Sequence, residues 1–258
     1  VKKELKKNNY KAILLPYEAQ PFQNNVFLNA KKFNKKIVTI GYLHSLLTPL
    51  PCELIYRSGA PDLLLVHGES QIKILQTILN WPKSKLLLID SLRFRLNDSN
   101  SLSNKIFLPM IILNANLYID EFKKLLVNSP VNYFSRFDIK NHPVMMNSKK
   151  HLYLKRELEN IMDLYNNRFT NTSSNKNISI FFGITAAIFE ALEKGLNVIH
   201  ICSDPVFESH SEKIWPNLKV KQISKFIFDY KLVLQGKYIA FGKKGKVLNK
   251  IIKNAIFI

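Results

Sequence analysis

The sequence predicts an α/β protein built on Rossmann-like, mostly parallel sheets. Three observations carry that reading. Short apolar runs alternate with amphipathic stretches along most of the 258 residues. Several of those runs are unbroken by polar residues, as strands covered on both faces require. Hydrophobic residues make up 47% of the chain, enough for a sizeable core.

Taken in order, the chain opens on a Lys-rich helix or tail. Strands are expected at 12–15, 37–40, 63–66, 86–89, 106–113, 133–139, 178–182, 198–201 and 220–223. Helices are expected at 23–33, 70–79, 116–126, 149–165 and 185–194, where apolar residues recur at helical spacing. This β-α-β-α order argues for helices on both faces of a parallel sheet. Such sheets bind ligands beyond the carboxyl ends of their strands, at the point where strand order reverses. The stretch 171–177, rich in Asn, Thr and Ser, reads as a polar loop. The prolines of Leu47-Thr-Pro-Leu-Pro51 mark a connection, and a boundary is expected there or a little later, before Pro61-Asp62. The expected division is therefore 1–57 as the end of one α/β unit, 58–230 as a fuller second unit, and 231–258 as a basic tail that folds back.

The formal net charge is +19. Three readings of it stay open: nucleic-acid binding, attraction to an anionic membrane or substrate, and a Lys-rich compositional bias. The lysines are scattered from Lys2 to Lys253, and no zinc-finger spacing, RNP-like segment or helix-turn-helix pattern accompanies them. Nucleic acid is thus not the expected partner. Cys52 and Cys202 stand far apart and outside any CxxC, which gives neither a disulfide framework nor a zinc site and fits a cytoplasmic location. No run approaches ~18 apolar residues, and no signal-peptide pattern opens the chain.

Four segments can carry chemistry. In Ile178–Gly195, a strand meets a tight turn and a helix. Gly183 permits close backbone approach, Thr185 suits a helix start, and the N–H groups there favour a phosphate. Glu190, further along, can reach a ribose hydroxyl. The same residues also describe an ordinary βαβ unit with Gly195 as its C-cap. Neither GxGxxG nor GxxxxGK[ST] is present, which disfavours a dinucleotide fold or P-loop. In Phe137–Pro143, Lys140 and His142 can both donate to a phosphate, with Pro143 stiffening the turn; a surface loop with a stray histidine is the plainer reading. In Leu14–Pro21, Glu18 can serve as general base or nucleophile, or only as a first-turn carboxylate favoured by the helix dipole. In Ile40–Ser45, Gly41 permits close approach, and His44 or Ser45 can meet a substrate. His67, His151, His200 and His210 show no metal-ligand spacing, and His200 reads as a satisfied core residue. No metal is expected. Asp204 and Pro205 follow a strand and are weaker candidates for ligand contact.

In order, these segments read Tyr-Glu-x-Gln-Pro, Gly-Tyr-x-His-Ser, Lys-x-His-Pro and Gly-x-Thr-x-x-x-x-Glu-Ala-Leu-x-x-Gly. The set resembles bacterial glycosyltransferases of the GT-B fold that build surface carbohydrates such as capsule and lipopolysaccharide. It is most similar to those using CMP-activated sialic acid or Kdo. The resemblance spans roughly residues 10–225. It implies two Rossmann-like domains facing a cleft, with no metal or other cofactor beyond the nucleotide-sugar donor. It places Lys140, His142, Pro143, Gly183, Thr185 and Glu190 on the nucleotide side, and Glu18 and His44 on the catalytic or acceptor side. The acceptor would be a glycan or its lipid-linked precursor, met in the cytoplasm or at the inner face of the membrane. Two departures stand out. Gly-Ile-Thr replaces the run of Ser/Thr found in relatives, and only about one βαβ unit precedes the expected boundary. An incomplete N-terminal domain is therefore expected, in a trimmed chain or a reduced relative. A nucleotide-sugar epimerase and a non-catalytic accessory protein of the same pathway are the rival expectations.

Overall fold

The computed structural model describes residues 2–7, 10–94, 102–170 and 177–242. The chain folds as two compact α/β units. The first comprises Val1–Leu47, Pro51–Leu96 and Gly236–Ile258, and the second Thr48–Leu50 with Asn97–Gln235.

In the first unit, β1 (Ala12–Tyr17), β2 (Val38–Leu43), β3 (Leu63–Val66) and β4 (Leu86–Leu88) form an all-parallel sheet in sequential order. Helix α1 (Lys2–Lys7) precedes β1, α2 (Pro21–Phe33) links β1 to β2, and α3 (Glu69–Thr77) links β3 to β4. Pro21 pre-sets the first turn of α2. The Gln23 side chain ties that turn to β1, accepting from the N–H groups of Glu18 and Gln20 and donating to Pro16 O. Phe27 and Ala30 form the buried face of the helix. Residues 237–240 return to this unit. Ala240 N donates to His67 O at 2.7 Å, and Ser91 N donates to Ala240 O at 2.7 Å, so the returning segment covers the carboxyl ends of β3 and β4. A Cβ on Gly68 would lie 2.0 Å from Tyr238 O, which explains why the approach needs a glycine there.

The second unit holds β5 (Lys105–Phe107), α4 (Ala115–Asn128), β6 (Phe134–Ser135), β7 (Asp138–Lys140), α5 (Lys149–Leu164), β8 (Phe169–Thr170), β9 (Ile178–Phe182), α6 (Ala187–Glu193), β10 (Asn197–Ile201), α7 (Pro205–Glu208), β11 (Leu218–Ser224) and β12 (Ile227–Leu232). Its main sheet runs β7-β5-β9-β10-β12-β11, parallel as far as β10 and antiparallel beyond. A small parallel pair, β6-β8, stands apart. The core packs α4 and α5 against the sheet through residues such as Phe122, Leu126, Leu158, Ile180 and Phe182. All five residues of β9 are buried, as its unbroken apolar sequence requires.

Four expectations need correction. The boundary does not fall at residue 57: β3 pairs with β2 from Ile40↔Leu63 to Tyr42↔Leu65 and carries β4 with it, so the first unit holds four strands rather than one βαβ unit. The expected strand at 106–113 ends at Phe107, ahead of Pro109, whose missing N–H cannot extend the ladder. The expected strand at 133–139 splits, because 134–135 pair with β8 while 138–140 pair with β5. The tail expected from 231 begins inside β12, a hairpin partner of β11. Residues 171–176 of the polar loop and 243–258 of the tail lie outside the described residues.

Candidate functional site

In the second unit the chain leaves β5 for β7 on one side and returns to β9 on the other. The reversal of strand order therefore falls between the carboxyl ends of β5 and β9, where an open α/β sheet offers a crevice. Three loops leave the sheet at this edge: 108–114 after β5, 141–143 after β7 and 183–186 after β9.

Gly183 takes φ +58°, and a Cβ there would lie 2.5 Å from the Tyr118 hydroxyl and 3.0 Å from Pro109 Cγ. The turn thus requires glycine on two counts. Its carbonyl accepts from His200 Nε2 at 2.7 Å, and the His200 Nδ1 lone pair accepts from the Tyr230 hydroxyl at 3.1 Å. Burial holds His200 down to about 4, so the ring is neutral and structural, as a satisfied core histidine should be.

His142 follows β7 and caps a short turn, its Nδ1 accepting from Val144 N at 3.4 Å. Its pKa is lowered by partial burial and by the neighbouring His151. His151, on the first turn of α5, is 3% exposed; its Nε2 donates to Pro109 O at 2.8 Å, and its Nδ1 has no partner among the described residues. Lys150, beside it, donates to Ile112 O at 2.9 Å. Asn141 Oδ1, next to His142, is likewise buried without a partner. Ser148, the N-cap of α5, makes no side-chain cap bond, so the first-turn N–H groups of this 16-residue helix have no intrahelical acceptor. Two histidines, a lysine, an orphaned amide oxygen and a helix start therefore gather around the loops after β5 and β7. Such a set suits an anion bearing hydroxyl donors, a phosphate ester above all.

The other expected nucleotide-side residues are differently engaged. Lys140 pairs with Asp138 at 2.5 Å on the exposed side of β7. Thr185 Oγ1 accepts from Ala187 N at 3.3 Å, closing a local turn ahead of α6, which is seven residues long. Glu190 binds the fully buried Lys194 ammonium at 2.8 Å. Pro143 opens the turn that His142 caps. Tyr118 and Glu208 belong to no motif that sequence reasoning picked out. The buried Glu208 carboxyl accepts from the Tyr118 hydroxyl at 2.9 Å, from Ser203 Oγ at 3.1 Å, from Asp204 N at 3.1 Å and from Ser203 N. This network fixes the end of β10 against Tyr118 and, through it, the Gly183 turn. Asp204 itself caps α7, its Oδ1 accepting from Val206 N.

In the first unit, Glu18 follows β1, and His44 and Ser45 follow β2. Ser45 Oγ donates to Glu18 Oε1 at 2.5 Å, so the structure brings these two together. The exposed His44 offers its carbonyl to Arg93 Nη1 at 3.5 Å. Gly41 lies inside β2, where a Cβ would meet Tyr17 and Pro61 at 3.0 Å; packing, not ligand approach, demands it. His67, at the end of β3, is buried between Tyr42 and Phe94, with neither ring nitrogen partnered among the described residues. Burial, and then Arg93, bring its pKa down to about 4.

Among the described residues no three His, Cys, Asp or Glu side chains converge as metal ligands, and no helix is long and apolar enough to cross a membrane. Comparison with protein-family models, curated proteins and solved structures finds no match for this chain.

Proposed function

We propose that the second unit binds the phosphate of a nucleotide at the carboxyl edge of its sheet, and that the chain is a metal-independent glycosyltransferase of the GT-B kind. The observation that carries the reading is the gathering of His142, Lys150, His151 and the start of α5 around the loops after β5 and β7, beside the switch point. The resemblance of the four segments supplies the reaction class, and the presence of two α/β units agrees with it.

On this reading, His142 and the first turn of α5 stabilise the charge that develops on the phosphate as the sugar departs. Glu18, held by Ser45, takes the proton of an acceptor hydroxyl. The donor is a nucleotide sugar, with CMP-activated acidic sugars suggested by the resemblance; the acceptor is a surface glycan or its lipid-linked precursor. The chain would work in the cytoplasm, at the inner face of an anionic membrane that its net charge favours.

The test is transfer itself, read as nucleotide release from CMP-, UDP- and GDP-sugars with and without oligosaccharide acceptors. Acceptor-dependent release, lowered about a hundredfold or more by Glu18→Gln, is the expected result. Release by a fully active Glu18→Gln variant would remove Glu18 from the chemistry. Sugar interconversion without an acceptor would move the protein to the epimerases.

A further inference from the structure

The second unit also carries a groove of about 580 Å³ away from the edge described above. It opens at the amino ends of β9 and β10, marked by Ile178 and Asn197, and below the last turn of α4. Its origin is topological. Helix α4 covers the sheet as far as β10, and Leu125, Ile199 and Ile201 belong to one buried cluster. The antiparallel pair β12-β11 then extends the same face past the helix. Ile199 stands opposite Asp229, and Asp229 opposite Lys221, so all three share one face; Lys231, two residues on from Asp229, joins them.

The lining is divided. Leu125, Phe134, Ile199 and Ile227 form an apolar floor, and Ile223 continues it at 49% exposure. Lys124, Lys221 and Lys231 stand around it, with Asp229 as the carboxylate among them. Lys124 is held by the buried Glu121 at 2.7 Å, and Glu121 is held in turn by Ser224 Oγ at 3.2 Å, so this part of the rim is built across α4 and β11. With Lys124 neutralised by Glu121, Lys221 and Lys231 stand as two cations against the one carboxylate of Asp229, a balance that favours an anion, and the floor favours a hydrocarbon body. Pockets of this volume enclose ligands of a few hundred daltons.

We infer that this groove binds a phosphate monoester carried on a short hydrocarbon chain, the chain along Ile199, Ile223 and Ile227 and the phosphate between Lys221 and Lys231. Burial raises the pKa of Asp229 against the pull of Lys231 and Lys221, which leaves the carboxyl a ready partner for a P–OH donor. The same head-and-tail chemistry can come from a free alkyl phosphate or from an anionic bilayer, and the experiment separates the two sources.

The full chain is titrated with octyl phosphate below its critical micelle concentration, and in parallel with octanol, inorganic phosphate and anionic phospholipid vesicles. The expected result is saturable binding of octyl phosphate, with octanol and phosphate each weaker by about tenfold or more. The surface variant Lys221→Glu/Lys231→Glu should lose about tenfold or more in affinity, and Ile223→Asn should weaken binding while melting as the parent does. The component of binding lost in the double-lysine variant should persist in His142→Ala, which lies at the other edge. Equal affinity for octanol, an unaffected double-lysine variant, or loss of that same component in His142→Ala would each overturn the assignment. So would binding to vesicles without binding to monomeric octyl phosphate, which would reduce the effect to surface charge.

Discussion

At the residue scale, the turn after β9 makes the sharpest demand. Gly183→Ala places a Cβ in a left-handed conformation and against the Tyr118 hydroxyl, and should cost about 1–3 kcal/mol. Thermal melting of the variant checks this; an unchanged midpoint would mean the turn relaxes freely. Buried histidines set a second expectation. His67 in the first unit and His200 in the second are both lowered to about 4, from an ordinary value near 6.5. Between those values the unfolded chain takes up protons that the folded chain refuses. Stability is then complete above about pH 6.5 and falls as pH drops towards 4, by about 2 kcal/mol for each histidine between pH 7 and 5. Urea unfolding at the two pH values measures it, and a flat profile would contradict it. His210, lowered further by burial, acts in the same direction. The sequence made His142, Gly183 and the Glu18–Ser45 neighbourhood legible, since each follows an apolar strand. It hid His151, whose role depends on the loop after β5 folding back over α5. It also hid Glu208, a carboxylate buried by partners 90 residues away and more locally by its own loop.

At the element scale, unbroken apolar runs identified the strands buried on both faces, as in β9 and β3. They failed where a run continued past the sheet, as in 108–113, because hydrophobicity does not distinguish a strand from the apolar loop that follows it. They also failed at β12, whose Asp229 and Lys231 line one face of an antiparallel extension while Phe228 and Tyr230 are buried on the other. The sequence pointed to α6 as the phosphate-binding helix. The structure gives α6 seven residues, with Thr185 engaged in its own turn, and sets the 16-residue α5, the helix the proposed phosphate site uses, shortly after His142. Accordingly, Thr185→Ala should leave nucleotide affinity within about twofold, since its hydroxyl serves a local bond of modest worth. A large loss measured by titration would return the phosphate to α6. At the sheet's edge, β11 exposes Lys219 and Lys221, charges that discourage pairing with another chain.

For the whole molecule, two α/β units carry a net charge of +19, which favours an anionic partner such as the proposed phosphate ester or an anionic bilayer. The units were legible in kind, but not in extent. Parallel pairing draws 58–96 into the first unit, and the segment at 237–242 rejoins it after the second unit is complete. Long-range returns of this sort leave no local pattern in a sequence. The measurement that bears most directly on the central claim is a calorimetric titration of the full chain with CMP, UDP and GDP. Saturable binding of one nucleotide, weakened about tenfold or more by His142→Ala and untouched by His44→Ala, is the predicted result. Absence of binding, or equal affinity in the His142→Ala variant, would contradict a phosphate site at the loops after β5 and β7.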